Sequence, residues 1–146
     1  MDKKRIVKMT LVVFLFSLII VFVGAFAFKK DSPKGKTREE RLSFISSFGW
    51  EVDKDSEHKD EILIPKEFGE VFSKYNEMQK SQGFDLSKFK GKNVLRYRLK
   101  ILNHPREKDL AFINLLVYKG KIIGGEVFSP EINGFLEEFN TCYNKK

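Results

Sequence analysis

Between Lys80 and Lys108 the chain carries nine cationic side chains against only Asp85 and Glu107, with Phe84, Phe89 and Tyr97 interleaved. Cations spaced this closely can grip phosphates, and the six best placed to do so are Lys88, Lys90, Lys92, Arg96, Arg98 and Lys100. The ligand would be a polyanion, whether lipid headgroups, an anionic wall polymer or nucleic acid. The competing explanation is plain solvation: charged residues alternate on any wet strand face, and the acidic stretch Glu51–Glu61 is available to neutralise them.

Other chemistry finds little to stand on. Asp53, Asp55, Glu57, Asp60 and Glu61 could suggest calcium, but an EF-hand loop needs Gly at its sixth position and Glu at its twelfth. Counted from Asp53 those positions hold His58 and Ile64. Zinc needs three or four clustered ligands, and the chain has two histidines, His58 and His104, and one cysteine, Cys142. A Cys142–His104 nucleophilic pair would place its thiol four residues from the last residue, a poor position for aligned chemistry. His104, beside Pro105, reads as a turn residue. No G-x-S-x-G, P-loop or G-x-G-x-x-G occurs. No catalytic residue, cofactor or metal is expected.

The elements that must position these residues follow from periodicity. Thr37-Arg38-Glu39-Glu40 fits a capping box, followed by an apolar stripe of Leu42, Ile45 and Phe48 and closure at Gly49. Trp50–Val52 and Glu61–Ile64 read as a short hairpin around the charged turn 53–60. A second helix is expected from Pro65, with Phe68, Val71, Phe72, Tyr75, Met78 and Gln82 on one face and Gly83 at its end. Phe84–Asn93 reads as a loop. Val94–Leu102 alternates as a half-buried antiparallel strand, and Leu110–Tyr118, apolar on both faces, as the central one. Lys119-Gly120 makes a two-residue hairpin turn, and Gly124-Gly125 in the returning strand Lys121–Phe128 marks a bulge or close packing. Ser129-Pro130-Glu131 then opens a last helix carrying Ile132, Phe135, Leu136 and Phe139, weakened by Gly134. The order is α-β-β-α-β-β-β-α, an α+β two-layer domain with helices on one face of an antiparallel sheet.

Ahead of this domain lies Met9–Phe28, 20 residues without a charge, of which only Thr10 and Ser17 have polar side chains. As a helix it is roughly 30 Å long, the thickness of a bilayer's hydrocarbon core. Residues 1–8 form a basic start, and 29–36 a polar linker to a domain at 37–146. Ala25-Phe26-Ala27 also offers a signal-peptidase site, which would release a secreted domain beginning at Phe28. Length favours retention as a transmembrane helix. Four Lys/Arg precede the segment and five lie between Lys29 and Arg38, so charge bias leaves the orientation open. A short basic start before an apolar run is how export signals begin, which favours a domain outside the cytoplasm.

The formal charge of +7 is unevenly spread. Residues 1–36 hold eight Lys/Arg and two Asp, or +6, and residues 37–146 hold 19 Lys/Arg and 18 Asp/Glu, or +1. The basic excess therefore belongs to the membrane flanks, and nucleic acid is disfavoured as a partner. A single cysteine excludes an internal disulfide and does not decide the compartment.

Gly49-Trp50-Glu51-Val52, Ile64-Pro65, Tyr75-Asn76, Gln79 through Leu86, Gly91-Lys92, Arg96-Tyr97, Asn114 through Tyr118 and Ile123-Gly124-Gly125 together resemble an uncharacterised family from Gram-positive bacteria. It is a domain of unknown function, usually found behind one amino-terminal hydrophobic segment, and the likeness runs from Thr37 to about Phe139. The resemblance implies a small membrane-tethered or exported domain and supplies no activity, substrate or catalytic residue. The expectation is thus a single-pass, membrane-anchored, extracytoplasmic domain that binds or senses a ligand without catalysis. Its partners are the lipid bilayer and an envelope protein not identified by the sequence. A polyanion-binding strand face and a secreted domain are the alternatives.

Overall fold

The computed structural model describes residues 31–106 and 110–140. Its elements are α1 (Arg38–Ser46), β1 (Val52–Leu63), α2 (Glu70–Ser81), a 3-10 turn (Leu86–Phe89), β2 (Asn93–Ile101), β3 (Phe112–Tyr118), β4 (Lys121–Phe128) and β5 (Leu136–Glu137). The five strands form one antiparallel sheet in chain order, β1-β2-β3-β4-β5, with β3 at its centre. The domain is α+β. Met9–Phe28 lies outside the described residues, and among those described no helix is long and apolar enough to cross a membrane.

The two helices lie on opposite faces of the sheet, which corrects the expectation of one shared face. Strand alternation explains why. Tyr97, Leu99, Ile113, Leu115 and Val127 point to one side and pack with Leu42 and Ile45 of α1. Val94, Leu116 and Ile123 point to the other and pack with Phe72 and Tyr75 of α2 and with Leu86. β3 is apolar on both faces because both faces are covered. The aromatic residues divide likewise: Phe44 and Phe84 meet Phe139 on the first side, and Phe68 and Tyr75 meet Phe72 on the second.

α1 begins with the expected capping box. Thr37 accepts the Glu40 N–H at 3.2 Å while the Glu40 carboxylate accepts the Thr37 N–H at 3.1 Å. It ends at Ser46 with Ser47 as C-cap, and the turn that follows closes at Gly49, whose φ of 83° suits glycine. α2 starts at Glu70 rather than at Pro65. Gly69 is its N-cap, and Phe68, ahead of the helix, lays its ring 4.5 Å from that of Phe72.

Two further expectations are overturned. The proposed hairpin over residues 50–64 is one continuous strand, β1, paired along β2. Between Asp53 and His58 five residue steps face only two on β2, from Lys100 to Arg98. The resulting bulge absorbs the stretch read as a turn, and the Ser56 hydroxyl accepts the Lys100 N–H at 2.8 Å to mend the ladder. The expected last helix is absent: residues 129–135 turn, and Leu136–Glu137 adds a fifth strand beside β4. Gly134 sits where a Cβ would lie 2.2 Å from the Ser129 carbonyl oxygen, a fold-back that a helix does not contain. The Ser129 N–H donates to Phe135 O at 3.0 Å and closes the turn.

The β3–β4 turn is as expected, with positive φ at both Lys119 (48°) and Gly120 (76°). The bulge expected at the glycines is also present, since Leu116 pairs with Gly124 but Val117 with Ile122, leaving Ile123 as the extra residue. Residues read as linker are bound to this hairpin: Ile122 N–H donates to Pro33 O at 2.8 Å and Gly35 N–H to Gly120 O at 3.0 Å.

Candidate functional site

The sheet face under α2 carries a row of polar residues set by register. His58, Arg98, Asn114 and Glu126 are successive cross-strand partners on β1, β2, β3 and β4. Glu126 is 7% exposed. Its Oε1 accepts Asn114 Nδ2 at 2.6 Å and its Oε2 accepts the Tyr75 hydroxyl at 2.5 Å, from α2 above. Arg98 Nε donates to Asn114 Oδ1 at 3.2 Å, and its guanidinium lies over the Phe128 ring. Two residue pairs along, on the same face, Arg96 grips Asp60 through Nε at 3.0 Å and through its second guanidinium nitrogen.

Electrostatics follow from this burial. Desolvation pushes the Glu126 carboxyl above its ordinary range, against the opposing pull of Tyr75, Asn114, Arg96 and Arg98. Tyr75 is pushed up as well, first by burial and then by the Glu126 charge. Asp60 is held below the usual carboxylate range by its hydrogen bonds from Arg96. Both oxygens of Glu126 are engaged by side chains, so the group ties α2 to β4 and presents no free acid to solvent.

The six candidate anion-binding residues divide into two sets. Arg96, Arg98 and Lys100 are half-buried on the α2 face of β2, with Arg96 committed to Asp60 and Arg98 to Asn114 and Phe128. Lys88, Lys90 and Lys92 are exposed in and after the 3-10 turn, and Lys90 Nζ lies 4.7 Å over the Phe68 ring. The acidic residues of β1 are dispersed: Glu57 pairs with Arg41 at 2.8 Å, Asp60 with Arg96, and Asp55 lies 3.9 Å from Arg38. Among the described residues no group of three His, Cys, Asp or Glu is placed to hold a metal. His104, in the bend between β2 and β3, is buried, its ring stacked between Trp50 at 5.7 Å and Phe135 at 4.6 Å. Cys142 lies outside the described residues.

The Tyr75–Glu126–Asn114 network was not read from the sequence. Its signal was present: Asn114 and Glu126 are the one polar side chain apiece in the interiors of two otherwise apolar strands. An open trough of about 570 Å3 also runs along α1, lined by Pro33, Lys34, Glu39, Glu40, Ser43, Phe44 and Ser47.

A five-stranded antiparallel meander with one helix on each face, closed by a buried carboxylate network, defines a small α+β domain. The family described as a domain of unknown function (DUF4830) matches residues 44–127, more than half of the chain, and the chain belongs to that family. No curated protein and no solved structure matches it.

Proposed function

We propose that this protein is a single-pass membrane protein whose folded domain binds or senses a ligand outside the cytoplasm and performs no reaction itself. The observation that carries the reading is Met9–Phe28, 20 uncharged residues bracketed by lysines, long enough to span a bilayer as a helix. The pairing of the domain's polar groups supports it. Glu126 and Arg41, both buried, are held by Tyr75 and Asn114 and by Glu57, and the half-buried Arg96 is held by Asp60, an arrangement that stiffens a scaffold. Polyanion binding through the strand face of β2 has less support, because Arg96 and Arg98 are already engaged within the domain.

Orientation is tested with Cys142, the only thiol. A membrane-impermeant maleimide applied to intact cells after mild unfolding labels Cys142 if the domain faces outward. Protection that persists until the cells are lysed reverses the orientation.

A further inference from the structure

We propose that the end of the domain formed by the β3–β4 hairpin and the 3-10 turn docks on the anionic surface of the bilayer that holds the protein. This rests on the anchor reading above and adds a second membrane contact made by the folded domain.

The surface is continuous. The Phe89 ring lies 5.5 Å from that of Tyr118, and Lys119 Nζ lies 5.5 Å over the Tyr118 ring. Lys36 passes over Gly120, Lys66 over Gly91, and Lys90 over Phe68. Lys36, Lys66, Lys88, Lys90, Lys92 and Lys119 are all exposed, whereas Phe68, Phe89 and Tyr118 are half-buried between them. Glu67 is an exposed acid beside Phe68 in the chain, and the Asp85 carboxylate is taken up by Ser87 and Asn76. Lysines around half-exposed rings suit the headgroup region, where cations meet anionic lipid and aromatic rings sit at the interface.

The tether selects the bilayer over other polyanions. Pro33 and Gly35 are hydrogen-bonded to the same hairpin, so the chain enters the domain at this end. Pro33 follows Phe28 by five residues, a span of at most about 18 Å whatever path the chain takes. Surface charge is largely screened beyond one Debye length, about 8 Å at physiological ionic strength, so the lysines feel it when this end of the domain rests on the headgroups. A weak patch held this close binds by proximity.

The test uses the full chain reconstituted either into pure phosphatidylcholine vesicles or into an equal mixture with phosphatidylglycerol. Lysines are acetylated briefly and the extent at each is read by mass spectrometry. On the anionic vesicles Lys88, Lys90, Lys92 and Lys119 should react several-fold more slowly than on phosphatidylcholine, and molar salt should abolish the difference. Lys54, Lys59 and Lys74, exposed elsewhere, should react alike on both. In the triple variant K88E/K90E/K92E, Lys119 should lose its lipid-dependent protection. Equal reactivity on the two lipids, or protection indifferent to salt, overturns the docking proposal. If the protein still floats with the vesicles in that case, the anchor stands without it. A chain that does not float removes the anchor as well.

Discussion

The Gln79 side chain forms two hydrogen bonds with the backbone of Gly125. Its Oε1 accepts the Gly125 N–H and its Nε2 donates to the Gly125 carbonyl, each at 2.9 Å. β5 covers only Val127 and Phe128 of β4, so the remaining edge needs another partner. The fully buried Gln79 amide acts as that partner, and Gln82 continues the edge by accepting the Phe139 N–H at 2.7 Å.

Removing this clamp should be costly. Gln79→Ala leaves a buried N–H without its partner and weakens the bonding of the carbonyl, an expected loss of about 2–4 kcal/mol in urea unfolding. Gly125→Ala should fail to fold, since its Cβ would lie 2.1 Å from Asn114 O. A Gln79→Ala variant within about 0.5 kcal/mol of the parent would show that the clamp is not structural.

Much of the fold was legible because local chemistry agreed with the final structure. The capping box at Thr37, the φ > 0 pair at Lys119-Gly120 and the two-sided apolar β3 each carry their own signal. What failed were inferences that tertiary pairing decides. Residues 53–60 are charged enough for a turn, yet β2 pairs with β1 on both sides of the bulge, at 52–53 and again from 58 to 63. The segment after Ser129 has helical spacing, but backbone bonding to β4 and the closed turn at Gly134 favour a strand. In the candidate site, alternation placed Arg96, Arg98 and Lys100 on one face correctly. It could not show which residues the neighbouring strands set beside them: Asp60 takes up Arg96, and Asn114 and Phe128 take up Arg98.

The strand reading of the last segment has a direct consequence. A helix over residues 129–139 would put Ile132 and Phe139 on one buried stripe. Instead Ile132 is fully exposed and Phe139 is 1% exposed among Phe44, Phe48 and Phe84. Phe139→Ala should cost about 3–5 kcal/mol, while Ile132→Lys should change stability by less than about 0.5 kcal/mol. Equal sensitivity at both positions, measured by urea unfolding, would restore the helix.

Glu126 and Asp60 should give pH dependences of opposite sign. Burial raises Glu126 in the folded state, so the folded chain holds its proton more tightly than the unfolded chain does. Its contribution is present below the unfolded value and is lost as pH rises through the folded one. Asp60 is lowered by Arg96, so its contribution is present above the unfolded value and fades as pH falls through the folded one. Unfolding midpoints taken across pH should therefore show that Glu126→Gln flattens the decline on the rising side. Asp60→Asn should flatten the loss at acid pH. Curves parallel to the parent's would contradict these assignments.

Arg41 is 4% exposed, stacks 3.6 Å over the Tyr97 ring and meets Glu57 through two nitrogens. Glu57→Ala leaves that cation without its counter-charge, hydrogen-bonded only to the Gly35 and Lys36 carbonyls, and should cost about 3 kcal/mol, whereas replacing both partners with apolar residues (Arg41→Met, Glu57→Leu) should recover part of the loss. Additive losses in that double-mutant cycle would show that the pair does not act as a unit.

The most direct test of the membrane account is alkaline carbonate extraction of cell membranes, followed by the intact mass of the protein in pellet and supernatant. A retained anchor predicts that the protein stays with the membranes at the mass of a chain that still contains Met9–Phe28. Recovery in the supernatant at a mass beginning with Phe28 would mean cleavage after Ala27, and recovery there with Met9–Phe28 intact would mean no anchor at all; either result contradicts the account.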